Sequence, residues 1–425
     1  MAGTTRGREP RQVRKEATVA HHRVCPGRSV SPLADVPQGA RPPLSPLPAP
    51  PDDRPAPGRL AEVAAVFLRL GATAFGGPLA HLALMREELV RRRAWVDEGT
   101  FLDFLSLANL LPGPTSTEVA MQLGRARAGR LGLLLAGACF ILPAALLVAA
   151  LAALYVRFGL RPDSQAVLAS VQPVVVALVA TAVLPLARST LRTRADWALF
   201  AGALALALAG INPLLVLAAT GLVALGLLLG RGTPVAGLAP PLLFLSAAPT
   251  AVGLLPLFLA FLKIGAVVLG SGYVLVAFLQ ADLVDRLHWL TTPQLLDAVA
   301  VGQVTPGPVF TTATFIGFLL RGPAGAAVAT LAVFLPAFAG VWASGGLLVQ
   351  LRGDARARAV LDGINAASLA LMAQVTLVLG RAALVDVPSA LLGAAALALL
   401  LLGKLNGSWV VLGAALVGLL RAHLG

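Results

Sequence analysis

Charge, sulfur and tyrosine are all scarce in this chain: 12% of its 425 residues are Asp, Glu, Lys or Arg, and it has two cysteines, four methionines and two tyrosines. Cys25 and Cys139 lie far apart in sequence, which excludes a disulfide framework and a cysteine-based metal site. There is no GxxxxGK[ST] phosphate loop, no HExxH and no Cys/His metal spacing. ATP-driven transport within the chain is thereby excluded, and nothing points to an enzyme or a cofactor. So little charge, set against 57% hydrophobic residues and a mean hydropathy of +0.83, also excludes a soluble globular domain.

What is present is lipid-compatible sequence. Leu131–Val156 and Ala166–Ala187 are runs that reach the roughly 20 apolar residues a helix needs to cross a bilayer. They do not alternate polar with apolar, as membrane strands would. The predicted fold is an all-α integral membrane protein with the lipid bilayer as its surroundings. The net charge of +13 sits largely in the N-terminal tail and in short loops such as "RRRAW" (Arg91–Trp95) and "RSTLRTR" (Arg188–Arg194). That is the positive-inside pattern and not a nucleic-acid surface. Residues 1–57 are Pro/Arg-rich, lack the apolar core of a cleaved signal peptide, and read as a disordered tail.

An internal repeat organises the rest. "FLRLGATAFGG" (Phe67–Gly77) overlays "FLKIGAVVLGS" (Phe261–Ser271) at an offset of 194 residues. With no gap, Trp95 then falls on Trp289, Asp103 on Asp297, and Pro112–Pro114 on Pro306–Pro308, "PGP" in both places. After a slip of one residue "FILPA" (Phe140–Ala144) meets "VFLPA" (Val333–Ala337). The expected domains are a first repeat at 58–235, a linker at 236–249 and a second repeat at 250–425. In each, two apolar pieces too short to span flank Pro-Gly-Pro, the pattern of a re-entrant or broken helical hairpin. Duplicated halves with matched broken helices are the architecture of secondary transporters, with substrate held where the repeats meet. Positive loops fall on opposite sides of the two halves, which favours inverted repeats, although a cytoplasmic tail and Arg91–Arg93 cannot share a face if the first segment crosses once.

Several residues in this frame are candidates for anion chemistry. Arg69 and Lys263 are repeat-matched cations inside apolar segments, where an uncompensated charge costs about 2.5–3.5 kcal/mol on insertion scales. Each could snorkel to an interface or contribute to a paired anion site. Gly76 and Gly77, and in the second half Gly270 to Gly272, would break a helix and free backbone N–H groups at a half-helix start, a site for an oxyanion; close helix packing is the plainer use of such glycines. In Pro112, Gly113, Pro114, and in Pro306, Gly307, Pro308, glycine makes the turn and the following proline opens the next helix. Thr115 and Thr311 then stand in the first turn, as anion ligands or as helix caps. Glu118 has Thr312 as its repeat mate; it is a candidate for proton coupling, the alternative being that it neutralises Arg69. Asp103 and Asp297 are expected to cap helices or form interfacial ion pairs, and His81 to be a satisfied core residue.

The series "FGGPLAH", "RRRAWVDEGTF", "LANLLPGPTSTEVAMQLG" and "FILPA" resembles the chromate ion transporter (CHR) family, in its long two-domain form, from about residue 60 to the end. The resemblance implies an inner-membrane secondary transporter that expels chromate from the bacterial cytoplasm, confers resistance and is coupled to protons. Sulfate is the isosteric competitor, and a transporter of another small anion or an uncoupled anion channel are the alternatives. The family positions carried over are Gly76, Gly77, Pro78, His81, Trp95, Pro112–Pro114 and Gly124. Where relatives are expected to carry Gln, this chain has Glu118. Assembly as a homo-oligomer stays open, and no nucleic acid is implied.

Overall fold

The computed structural model describes, apart from Gly3, residues 58–158, 162–230, 252–269, 274–344, 355–403 and 405–424. The tail, the 236–249 linker and Gly270 to Gly272 lie outside these. The described residues form helices and no strands. The first half contains α1 (Arg59–Thr73), α2 (Gly77–Met85) running into a π-helical turn (Arg86–Arg92), α3 (Glu98–Ala108), α4 (Thr115–Phe158), α5 (Pro162–Thr190), α6 (Arg194–Leu208) and α7 (Pro213–Leu228). The second contains α8 (Leu254–Val267), α9 (Val274–Leu279) with its own π-helical turn (Gln280–Arg286), α10 (Thr292–Val304), a 3-10 turn (Val309–Thr311), α11 (Thr312–Ala343), α12 (Ala355–Ala383), α13 (Val387–Leu401) and α14 (Gly407–Leu424).

Local chemistry sets these boundaries in both halves alike. Asp97 caps α3 by accepting from the Thr100 N–H at 2.9 Å, and its repeat mate Thr291 caps α10 by accepting from Gln294. The Thr100 N–H and hydroxyl hold the Asp97 carboxyl below its usual range. α1 ends where Ala74 turns extended, and Gly76 and Gly77 follow with φ of 104° and 77°. α4 and α11 are each interrupted at one matched place, Ala128–Gly129 and Arg321–Gly322, by a glycine at φ 64° and 62°. α1, with 15 residues, is about 22 Å long and cannot cross a hydrocarbon core of about 30 Å. Among the described residues four helical stretches are long and apolar enough to do so: Thr115–Phe158, Ser164–Thr190, Val309–Ala343 and Arg356–Ala383.

Glu62, near the start of α1, gathers the first half at one end. It accepts from Arg93 at 3.3 Å, from the Trp95 indole at 3.2 Å and from Arg127 at 2.7 Å. The α1–α2 pair therefore leaves and returns at the same end, and so does the α3–α4 pair up to the break at Gly129. This resolves the conflict between a basic tail and "RRR" on one face: α1 does not cross.

Repeat mates pack antiparallel. Around the break in α4 Arg125 donates to the Val341 carbonyl at 3.1 Å and Arg130 lies over Trp342, while farther along the second segment Ala144 meets the Gly307 loop. In the α5 and α12 pair, Gly380 lies beside Val176, whereas Thr190 and Asp362 line one cavity. The halves also exchange partners: α6 and α7 pack on α12, and α13 and α14 pack on α5. The largest buried cluster accordingly draws Val175 and Val179 from the first half together with Phe310, Ala370 and Met372 from the second.

Candidate anion site at the Pro-Gly-Pro crossing

The two Pro-Gly-Pro loops meet the breaks of the opposite half. The Gly113 N–H donates to the Val268 carbonyl at 2.9 Å, and the Gly307 N–H donates to the Ala74 carbonyl at 2.9 Å. Ala74 and Val268 are themselves repeat mates, so the contact is reciprocal. Pro112 and Leu269 add an antiparallel bridge beside it. Gly113 and Gly307 have φ of 138° and 91°, and a Cβ on either would lie 2.7 Å from a methyl of the other half or its mate, Ala337 and Ala144 respectively. Only glycine suits these positions.

The helices that follow are built differently. Pro114 leads directly into α4, its carbonyl accepting from the N–H groups of Thr117 and Glu118 at 2.8 and 3.1 Å. Pro308 leads instead into the 3-10 turn, where the Thr311 hydroxyl donates to the Pro308 carbonyl and the Thr312 hydroxyl to that of Val309, both at 2.8 Å. Those hydroxyls serve carbonyls, so the expected capping of N–H groups is not what they do. Thr115, Pro306 and Thr311 are all buried.

Beside Gly113 lies a buried polar group of the first half. Glu118 is fully buried, neither carboxylate oxygen has a hydrogen-bond partner, and Oε1 points at Gly113. Thr117 Oγ1 and Gln122 Oε1 are also unpartnered, while the Gln122 amide donates to the Phe104 carbonyl at 3.3 Å. His81 is buried as expected. Its Nε2 lies 3.1 Å from the Ala74 carbonyl, the same oxygen that accepts from Gly307, and its Nδ1 lies 3.4 Å from Ser116 Oγ. His81 thus braces the break on which the opposite loop docks. Gly76 and Gly77 open α2 a few residues on, with Gly76 exposed.

Arg69 and Lys263 do not join this group. Arg69 pairs with Glu88, and Lys263 makes two bonds, of 2.8 and 2.9 Å, to Asp282, which Arg286 also contacts at 3.1 Å. Glu88 and Asp282 are 194 residues apart, so the acids repeat as the cations do. The alternative that Glu118 neutralises Arg69 is therefore overturned. Asp282→Leu would strand the Lys263 ammonium in an apolar segment at a cost of the order of 2–3 kcal/mol, and membrane-inserted protein is expected to fall. Lys263→Met added to it should restore abundance, as quantitative blotting would read.

Asp297 also departs from expectation. It sits inside α10 and caps nothing: it is buried and accepts from the Tyr155 hydroxyl and the Gln172 amide, each at 2.9 Å and each from the first half. Its mate Asp103 lies within α3, five residues past the Glu98 start. The buried union of Asp297 and the ion pairs of Glu88 and Asp282 went unread in the sequence. The 194-residue spacing between those two acids was the available signal. Gly124, one of the family-motif positions, is a packing glycine, its Cα facing Gly132 and Ala136 across the break in α4.

The geometry is that of two half-helix starts, two reciprocal backbone crossings and an uncompensated carboxylate at the meeting of duplicated halves. Comparison with known proteins agrees. The chain is 35% identical over 382 residues to a chromate transport protein of Cupriavidus metallidurans, covering 86% of this chain and 94% of that protein. It is 35% identical over 390 residues to a chromate transport protein of Pseudomonas aeruginosa (86% and 93%), and 35% over 364 residues to a probable chromate transport protein of Synechococcus elongatus (80% and 89%). No solved structure matches it. The family profile described as Chromate transporter matches twice, over residues 61–225 and 255–419, once for each half that crosses the other, and the chain belongs to that family.

Proposed function

We propose that this chain is a secondary active transporter that moves chromate out of the cytoplasm across the inner membrane, driven by the proton gradient or the membrane potential, and so confers chromate resistance. The reciprocal crossing carries this reading: it brings the ends of four broken segments to the place where the repeats meet. Antiparallel packing of repeat mates in spanning helices supports an inverted pair, which gives two alternating states related by pseudo-symmetry. The anion contacts are assigned to Gly76, Gly77, Pro112 to Thr115, Pro306 to Pro308 and Thr311. Arg69 and Lys263 join them on release from Glu88 and Asp282. Glu118 is the proton-exchanging group.

Everted membrane vesicles test the proposal. Energised vesicles should accumulate radiolabelled chromate, sulfate should compete, and an uncoupler should abolish accumulation. No uptake by the wild-type chain overturns chromate as the cargo. Uptake that only follows the chromate gradient and ignores the uncoupler identifies a channel.

A further inference from the structure

A cavity of about 550 Å³ opens between the two halves and runs down to the crossing. Its floor includes Leu269, the residue bridged to Pro112, and Asn109 at the end of α3. Its walls are the end of α5, the turn into α6, and the first third of α12. From α12 come Asp362, Asn365 and Ser368, three residues apart and therefore on one helical face. Ser368 is buried at 5% exposure, and its hydroxyl oxygen has no hydrogen-bond partner. Burying an unmatched hydroxyl beside a polar cavity is unfavourable unless something in the cavity takes the bond. Arg192 reaches the same cavity from the α5–α6 turn.

The mouth lies at the arginine-rich end of the molecule. Arg188, Arg192 and Arg194 surround the end of α5, and Arg356 and Arg358 the start of α12. α5 returns to the end at which α4's second segment begins, beside Arg125, Arg127 and Arg130. The opposite end has fewer, Arg157, Arg286, Arg321, Arg381 and Arg421, at separate helix ends and at the break in α11. By the positive-inside rule the mouth faces the cytoplasm. Two carboxylates, Asp196 and Asp362, also line the cavity, but Asp196 is occupied in accepting from the Arg192 and Thr193 backbone N–H groups at 3.1 and 2.8 Å.

We propose that this cavity is a cytoplasm-facing vestibule for a tetrahedral oxyanion, held by the Arg192 guanidinium, the Asn365 amide and the Ser368 hydroxyl before it reaches the crossing. It rests on the anion-transport reading above and names the path by which that site is loaded. Besides its carboxylates the lining offers a cation and neutral donors in place of the anion's water, and the exposed Asp362 carboxylate has Arg192 and Arg358 as its neighbouring cations.

Ser368→Cys in a Cys25→Ser parent tests it, with Asn365→Cys as the second probe in case the first fails to assemble. A membrane-impermeant sulfonated thiosulfonate reagent should label the new thiol in everted vesicles and not in right-side-out ones. Sulfate or molybdate, neither of which oxidises thiols, should slow labelling about tenfold at about ten times the dissociation constant. Arg192→Gln should raise the concentration needed for half-protection about tenfold or more. Labelling from the outer face only, no labelling of either cysteine, indifference to both anions, or equal protection by sodium or potassium chloride each overturns the vestibule. Chromate uptake by the wild type, measured alongside, separates the outcomes. If uptake persists without protection, only the vestibule falls. If protection appears without chromate uptake, the vestibule stands and the cargo is another oxyanion.

Discussion

Glu118→Gln is expected to separate stability from transport. The substitution keeps the shape of the side chain and removes a carboxylate that is fully buried with neither oxygen hydrogen-bonded. An ionisable group kept in that state is costly to the fold. The purified variant should therefore melt about 2–4 °C higher for each kcal/mol relieved. Proton-driven chromate uptake should fall by about 100-fold, the scale on which a positioned proton-exchanging side chain acts. Glu118→Asp, which retains the ionisable group while withdrawing it from Gly113, should recover part of the uptake. If Glu118→Gln transports as well as wild type, the carboxylate plays no part in coupling, and the search moves to Asp297, a buried acid with no cation among its hydrogen-bond partners Tyr155 and Gln172.

The second large effect is expected at the crossing itself. Gly113→Ala forces a side chain into a conformation with φ of 138° and places Cβ 2.7 Å from the Ala337 methyl and 2.8 Å from Glu118 Oε1. The backbone term alone is about 1–3 kcal/mol, and the contact adds about as much again. Transport should be lost, and the protein should become sensitive to protease in the α3–α4 region. Gly307→Ala should behave alike through Ala144. The diagnostic variant is Gly113→Ala with Ala337→Gly: removing the opposing methyl relieves that contact but neither the backbone strain nor the contact with Glu118 Oε1, so abundance should recover partly and uptake less. Full recovery of both would show that the crossing tolerates a side chain and that glycine is there for packing alone.

Sequence reasoning reached the architecture because the duplication is written residue against residue. The 194-residue offset that aligned "PGP" with "PGP" also aligned the caps Asp97 and Thr291 and the crossing partners Ala74 and Val268. The breaks were legible for the same reason, since glycine and proline act through the local backbone. What stayed hidden depends on contacts distant in sequence. Arg69 and Lys263 read as snorkelling cations or a paired anion site because a cation in an apolar run demands compensation, and acids that supply it, Glu88 and Asp282, stand nineteen residues on in each half. Asp297 looked like a cap by its position ahead of Pro-Gly-Pro, but its partners Tyr155 and Gln172 arrive from the other repeat. The direction of α1 was also unreadable until Glu62 was seen to hold Arg93 and Arg127 at once.

The exchange of hydrogen bonds between Gly113 and Val268, and between Gly307 and Ala74, means that neither half completes its own backbone pairing at the crossing. Each repeat supplies the donor for one junction and the acceptor for the other, so a lone repeat would display an open backbone donor and an open acceptor inside the membrane, each seeking a counterpart. The chain behaves as an obligate pair whose members happen to share a peptide backbone. Mutations in one loop must therefore be accepted by the break it docks against, and the two repeats are bound to evolve as lock and key for each other.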